Sequence, residues 1–238
     1  MVNSVITAPR GFLAAGVACG MKRSGKLDLG LIVCRQGAIA AGVFTTNKIT
    51  SAAVQVCREH VKSPRIYAVV VNSGNANCCT GPAGLKNAIE MCRQTAKHIA
   101  VDPHTVLVGS TGIIGRPLPV NEITRGIARA FKKLSDSASA GLDFARAIMT
   151  TDSRCKQAVR RLQVSGREVT VAGTVKGAGM IAPRMATTLC FITTDVAISK
   201  PLLVKALREA IGNSLNKLTV DGHQSTNDTA IILASGRA

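Results

Sequence analysis

The run Ile66-Tyr67-Ala68-Val69-Val70-Val71-Asn72 constrains the fold more than any other segment. A strand with almost no polar residues has no face to offer water, so it must be covered on both sides of its sheet. Cover is at hand in the sequence. Residues 82–99 place Leu85, Ile89, Cys92, Ala96 and Ile99 on one helical face, and beyond Pro119 a second helix groups Ile123, Ile127, Ala130, Phe131 and Leu134. Residues 142–149 read as a short helix. Another starts after a Ser199 cap with Pro201 in its first turn and buries Leu203, Leu207 and Ile211.

The remaining strands come in groups. Residues 29–34 and 38–45 flank Arg35-Gln36-Gly37 and predict a hairpin, as do residues 157–164 and 168–175 around Ser165-Gly166-Arg167. A strand over 105–108 runs into Gly109-Ser110-Thr111-Gly112. Hairpins and helices are grouped without strict βαβ alternation, which predicts an α+β class. The apolar run Ala230-Ile231-Ile232-Leu233-Ala234 has the pattern of a buried strand, yet only four residues follow it. That predicts a chain stopping inside a domain, with this strand left uncovered.

Only 3% of the 238 residues are aromatic, so the interior must be built from Val, Ile, Leu, Ala and Met. The formal charge of +17 favours anionic ligands by long-range attraction. The basic residues are single or paired, as in Lys22-Arg23, Lys132-Lys133 and Arg160-Arg161, with no aromatics between them to stack on bases. This points to acidic small molecules rather than nucleic acid. The eight cysteines form no CxxC pair and mostly sit in apolar or helical stretches, where a free thiol packs as a small hydrophobe; the four histidines lack metal-ligand spacing. No metal, no membrane span and no secretory leader are expected, and a reducing cytoplasm is the default.

The chemistry centres on Lys176-Gly177-Ala178-Gly179-Met180-Ile181-Ala182-Pro183-Arg184-Met185-Ala186-Thr187-Thr188-Leu189. Two glycines and a proline can hold one peptide bond in an unusual posture before a hydroxyl residue. If Thr187 attacked the carbonyl carbon of Ala186, the chain would be cut and Thr187 would gain an α-amine with a pKa of about 7.7 to 8.0, near neutrality. A threonine bearing its own amine carries its own base. Acyl transfer also needs donors for an oxyanion, and the hydroxyl and glycine amide of Thr111-Gly112 could supply them. Each segment taken alone reads better as a plain glycine-rich turn beside a strand.

Their company decides between these readings. Gly16-Val17-Ala18-Cys19-Gly20-Met21-Lys22, Ala41-Gly42-Val43-Phe44-Thr45, Val71-Asn72-Ser73-Gly74-Asn75-Ala76-Asn77, Ser110-Thr111-Gly112-Ile113-Ile114-Gly115, Thr150-Thr151-Asp152, the glycine run, Val220-Asp221-Gly222 and Ser225-Thr226-Asn227-Asp228-Thr229 occur in that order. In this the chain resembles the ornithine acetyltransferase (glutamate N-acetyltransferase) family of arginine biosynthesis, from about residue 11 onward.

The resemblance implies a layered αββα sandwich and self-cleavage between Ala186 and Thr187. Residues 1–186 would form an N-terminal subunit, and residues 187–238 the start of a C-terminal one. It implies Thr187 as the nucleophile that takes acetyl from N-acetylornithine and passes it to glutamate, and Thr111 and Gly112 as the oxyanion hole. One threonine of the Thr150-Thr151 pair, taken as Thr151, and Lys176 would contact substrate, Lys176 by pairing with a carboxylate. No cofactor is implied; acetyl-coenzyme A enters only as an optional second acetyl donor. The cleaved subunits would pair again, as a heterotetramer. The family's C-terminal glutamate and polar substrate contacts have no counterpart here, and His223-Gln224 departs from the pattern in the loop after Gly222. The competing enzyme class is an N-terminal-threonine amidohydrolase or aminopeptidase, which gives the acyl group to water.

Overall fold

The computed structural model describes residues 5–182 and 188–238. Its strands are β1 (Leu13–Val17), β2 (Leu29–Phe44), β3 (Ile66–Asn75), β4 (Val106–Ile113), β5 (Lys156–Val164), β6 (Arg167–Lys176), β7 (Leu189–Thr194) and β8 (Thr229–Ala234). The helices are α1 (Ala52–His60), α2 (Gly81–Ile99), α3 (Val120–Lys132), α4 (Ala138–Ala147) and α5 (Lys200–Asn213). Pairing runs β4-β3-β2-β8-β7-β6-β5, with β1 also on β2.

Residues 29–45 are not a hairpin. β2 is one strand of 16 residues whose register on β3 slips between Val33 and Ala38. Gly37 forms the irregularity: its φ is 74°, and a Cβ there would lie 2.9 Å from the Tyr67 ring. The glycine that reads as a turn is instead a bulge, which re-aims the strand without reversing it. The first half of β2 pairs with β1 and β3, and the second half with β8, so one strand serves two sheets.

These sheets stack as the αββα sandwich. In the first, Leu29 lies against Gly126 of α3 and the Cys57 thiol of α1 donates to the Val108 carbonyl, placing helices on one face. The other face carries Gly30, Val71 and Gly109; Phe144 of α4 covers Gly30, Phe191 of β7 reaches Gly109, and the two rings meet edge to face at 5.5 Å. On the far side of the second sheet, Leu203, Leu207 and Ile211 of α5 pack on Ala41, Cys190, Ala230 and Ala234. β3 is thus buried on both faces, as its composition requires, and its Val69, Val70 and Val71 have no accessible surface.

Three further expectations change. On α2 the buried stripe is Gly84, Ala88, Met91, Cys92, Thr95 and Ala96, whereas Leu85 and Ile89 are exposed. The helix rotates because small residues let it approach β4 and α3 more closely than branched ones would. α4 begins and ends earlier than the 142–149 pattern suggests, capped by the Ser137 hydroxyl on the Ala140 N–H. β8 is not left uncovered: it lies between β2, antiparallel, and β7, parallel. The hairpin β5–β6 is as expected, with Ser165 and Gly166 both at positive φ in its turn.

Candidate active site

β4 continues through the Gly109-Ser110-Thr111-Gly112 segment instead of ending before it. It does so because β3 runs parallel alongside, pairing Asn72 with Ser110 and Ser73 with Thr111. The Ser110 hydroxyl donates to Asn72 Oδ1 at 2.7 Å. Gly112, one residue before the end of β4, has φ 133°, and a Cβ there would stand 2.4 Å from the Gly74 carbonyl carbon. Only glycine fits this close crossing of two backbones.

Lys176 ends β6 with its side chain directed into the same place. It is 3% exposed, and its Nζ donates to Thr111 Oγ1 at 2.6 Å. An ammonium group has no lone pair, so Thr111 can only accept from it, leaving the threonine's own O–H to donate elsewhere. Burial pushes the Lys176 pKa down to about 8, while Asp152 and Asp228 act to hold it up. Burial pushes Asp228 up to about 8, opposed by the Thr188 N–H that donates to its Oδ1 at 2.9 Å and by Lys176.

Asp152 organises the entry to the glycine run. Its side chain is buried, pairs with Lys156 and accepts from the Gly177 N–H at 2.9 Å. Burial alone would raise its pKa, but these donors hold it below the ordinary carboxylate range. Lys156 Nζ also donates to the Gly177 carbonyl at 2.9 Å. Further along, Asp221 Oδ1 accepts from the Ile181 N–H at 2.8 Å, and the Val220 N–H donates to the Ile181 carbonyl at 2.9 Å. Beyond the run, the Thr229 N–H donates to the Thr188 carbonyl at 3.0 Å. Both flanks of residues 183–187 are therefore anchored by aspartates. Ala186 and Thr187 themselves lie outside the described residues.

A cleft of about 1150 Å³ opens over this arrangement. Thr111, Gly112, Thr151 and Lys176 all line it, so the four described site residues named from sequence converge on one cavity. Thr150 lines it too, and both threonines are exposed to it. Its wall carries Lys22, Arg23, Lys26, Arg116 and Arg146 as well as Lys176, against Asp152 as the acidic residue. Such a cleft suits an anionic small molecule. Among the described residues there is no group of three or more His, Cys, Asp or Glu able to hold a metal ion. No helix among them is long and apolar enough to cross a membrane.

Sequence reasoning did not assign Asp28, Asn227 or Asp228. Asp28 accepts from the backbone N–H groups of Cys19, Met21 and Lys22 at 2.6, 2.7 and 2.9 Å, fixing one lip of the cleft. Asn227 Nδ2 donates to the Ala76 and Ser110 carbonyls at 2.7 and 2.8 Å, stitching the start of β8 to β4. For Asn227 and Asp228 the available signal was the cluster of short polar residues 225–229 directly before the apolar run 230–234. Such residues must be bonded if buried.

With this geometry, the relatives of the chain can be placed. The sequence pattern of the ArgJ family matches residues 13–238. The arginine biosynthesis bifunctional protein ArgJ of Symbiobacterium thermophilum is 46% identical over 235 residues, covering 98% of this chain and 58% of that protein. Its namesake from Bacillus licheniformis is 45% identical over 234 residues, covering 98% and 56%. The chain thus spans somewhat more than half the length of these relatives. Among solved structures, ArgJ from Bacillus halodurans superposes with a TM-score of 0.74 at 37% identity, over 79% of this chain and 96% of that one. The ornithine acetyltransferase of Mycobacterium tuberculosis, complexed with ornithine, gives 0.71 at 36%, over 79% and 98%. The L-aminopeptidase D-Ala-esterase/amidase of Ochrobactrum anthropi, described as a variant of the Ntn-hydrolase fold, gives 0.61 at 14% identity and shares the fold alone. The match across residues 13–238, together with the convergence of Thr111, Gly112, Thr151 and Lys176, places this chain in the ArgJ family.

Proposed function

We propose that this chain is the nucleophile-bearing part of a self-cleaving acyltransferase that moves acetyl from N2-acetylornithine to glutamate. The observation that carries the reading is the buried Lys176–Thr111 bond beside Gly112, at the floor of a cationic cleft and between the anchored flanks of residues 183–187. In this reading the Thr187 hydroxyl first attacks the Ala186 carbonyl carbon, and hydrolysis of the resulting ester frees the Thr187 amine. That amine then takes the hydroxyl proton as Thr187 attacks the acetyl carbonyl of the donor, and returns it to the departing ornithine amine. The α-amine of glutamate attacks the acetyl-threonine in turn. In each step, negative charge on the tetrahedral oxygen is met by the Thr111 hydroxyl and the Gly112 amide. Lys176 is a cation near neutrality and keeps Thr111 oriented as a donor.

The cleavage point divides the chain into residues 1–186 and a second subunit starting at 187. The two solved relatives are matched over almost their whole length yet cover 79% of these 238 residues, about 188, the length of a chain ending near Ala186. After cleavage the parts would stay joined, since β7 and β8 are hydrogen-bonded to β6 and β2; a heterotetramer is the proposed assembly. The enzyme needs no cofactor in this reading. Acetyl-coenzyme A would act only as an alternative donor, small anions rather than nucleic acid would be the ligands, and the compartment would be the cytoplasm.

The test is the intact mass of the full-length gene product. Two masses summing to the precursor plus one water, divided at Ala186/Thr187 and replaced by a single uncut mass in Thr187→Ala, are expected. An uncut wild-type chain would overturn the proposal.

A further inference from the structure

Cys78 and Cys79 are consecutive in sequence, and their sulfurs lie 3.8 Å apart. The backbone around them departs from ordinary geometry: Asn77 has φ 46° and Cys79 φ 57°, left-handed values that L residues other than glycine seldom take. Strain of this kind persists only where the surrounding structure enforces it. Enforcement is visible here. The Cys78 carbonyl accepts from the Gly115 N–H at 2.9 Å, Asn77 Nδ2 donates to the Gly84 carbonyl at 2.9 Å, and the Asn77 N–H donates to Asn75 Oδ1 at 2.7 Å.

The two thiols have unequal access. Cys79 is exposed, whereas Cys78 is 1% exposed and hydrogen-bonded to Thr226, a residue of the cleft wall. Burial pushes the Cys78 thiol up, opposed by Thr226. The other six cysteines are Cys155, which is half-buried and bonded to Met149, and five that are buried. None of the acyl-transfer chemistry uses either member of the pair.

We propose that Cys78 and Cys79 form a dithiol modification site, which a low-molecular-weight disulfide oxidises to a vicinal disulfide, with Cys79 as the entry thiol and Cys78 as the resolving thiol. The Cys79 thiolate attacks one sulfur of the reagent RSSR, forming Cys79–S–S–R and expelling RS⁻. The Cys78 thiolate then attacks Cys79 Sγ, forming the Cys78–Cys79 bond and expelling the second RS⁻. The two thiol protons end on the two RSH products, and the pair loses two electrons to the reagent. Exchange of this kind needs an accessible first thiol and a second sulfur within reach, but no solvent access for the second. The pair meets both conditions. Because Cys78 bonds to Gly115 and Thr226, the site adjoins the Thr111–Gly112 wall without belonging to it.

The test is exposure of the full-length folded protein to oxidised glutathione, followed by acid quench, alkylation of remaining thiols and mapping of tryptic peptide 66–86, which holds these two cysteines and no other. The wild-type peptide is expected to lose two hydrogens and carry no glutathione. Cys78→Ser should retain one glutathione on Cys79, and Cys79→Ser should leave Cys78 reduced over the same time. Wild-type protein that accumulates glutathione on Cys79, or leaves both thiols free, would overturn the proposal. Phenylarsine oxide provides a second measurement on the wild-type chain alone: condensation with both thiols, with loss of one water, should place one arsenical on peptide 66–86, and its absence there would count equally against the site.

Discussion

Lys176 and Thr111 are 65 residues apart in sequence, yet Lys176 Nζ donates to Thr111 Oγ1 at 2.6 Å in the interior of the molecule. Burying an ammonium is costly unless it is paired. The Asp152 carboxylate, held ionised nearby, offsets that cost, and the bond fixes which way the threonine hydroxyl can point.

Thr111→Val keeps the shape of the side chain and removes its oxygen. In the full-length protein, self-cleavage and acetyl transfer should both slow by about 10²- to 10³-fold, the loss typical of one oxyanion donor. Melting temperature and the rate of appearance of the cleaved subunits are the measurements; unaltered cleavage in a folded variant would remove Thr111 from the site.

Gly112→Ala should be harmed by sterics rather than by lost chemistry. The added Cβ would meet the Gly74 carbonyl carbon at 2.4 Å, at a φ of 133° that alanine avoids. We expect a loss of roughly 1–3 kcal/mol or more in stability, seen as a lowered thermal midpoint, together with slower cleavage.

Lys176 gives the reaction a pH signature. Its pKa is pushed down to about 8, so the cation that orients Thr111 is present below that value and lost above it. The Thr187 amine acts in the opposite sense, becoming a base as pH rises through about 7.7 to 8.0. Acetylation of the cleaved wild-type enzyme should pass through a maximum with pH. Lys176→Met should be slower and keep the rising limb while lacking the fall.

Asp228 makes a prediction about stability. Its folded pKa, about 8, is above the ordinary value of 3.8, so the folded state holds a proton that the unfolded chain releases. Stability from this group is complete below about pH 4 and is lost as pH rises toward 8. Asp228→Asn cannot ionise, so the difference in unfolding free energy between variant and wild type should move in the variant's favour from pH 4 to 8. Denaturant titrations at several pH values measure it, and a difference independent of pH would contradict the assignment.

The partition of the acyl group separates transferase from hydrolase. Incubating the full-length cleaved protein with N-acetylornithine and glutamate should yield acetylglutamate, with free acetate a minor product. Acetate alone would instead favour the hydrolase reading.

Much of this arrangement could be read locally. The buried strand at 66–72, the hairpin at Ser165–Gly166 and the buried face of α5 follow from apolar period and turn residues, since these depend on a few neighbouring positions. The residues named from the motifs, Thr111, Gly112, Thr151 and Lys176, line one cleft, while Ala186 and Thr187 remain outside the described residues. Local reading failed at Gly37, where a turn and a bulge share the same glycine requirement, and at Leu85 and Ile89, where helical period is right but the neighbour across the interface sets the rotation.

The sequence by itself determined which elements form, which faces are apolar and which residue types can carry acyl chemistry, because propensity and patterning act within one segment. Only the tertiary structure decided that β2 links the two sheets, that β8 is enclosed between β2 and β7, and that Lys176 is buried against Thr111 with the ionised Asp152 as its counter-charge. Those contacts join segments far apart in the chain. Their energies come from burial and from charges brought together, quantities that do not exist until the layers have packed.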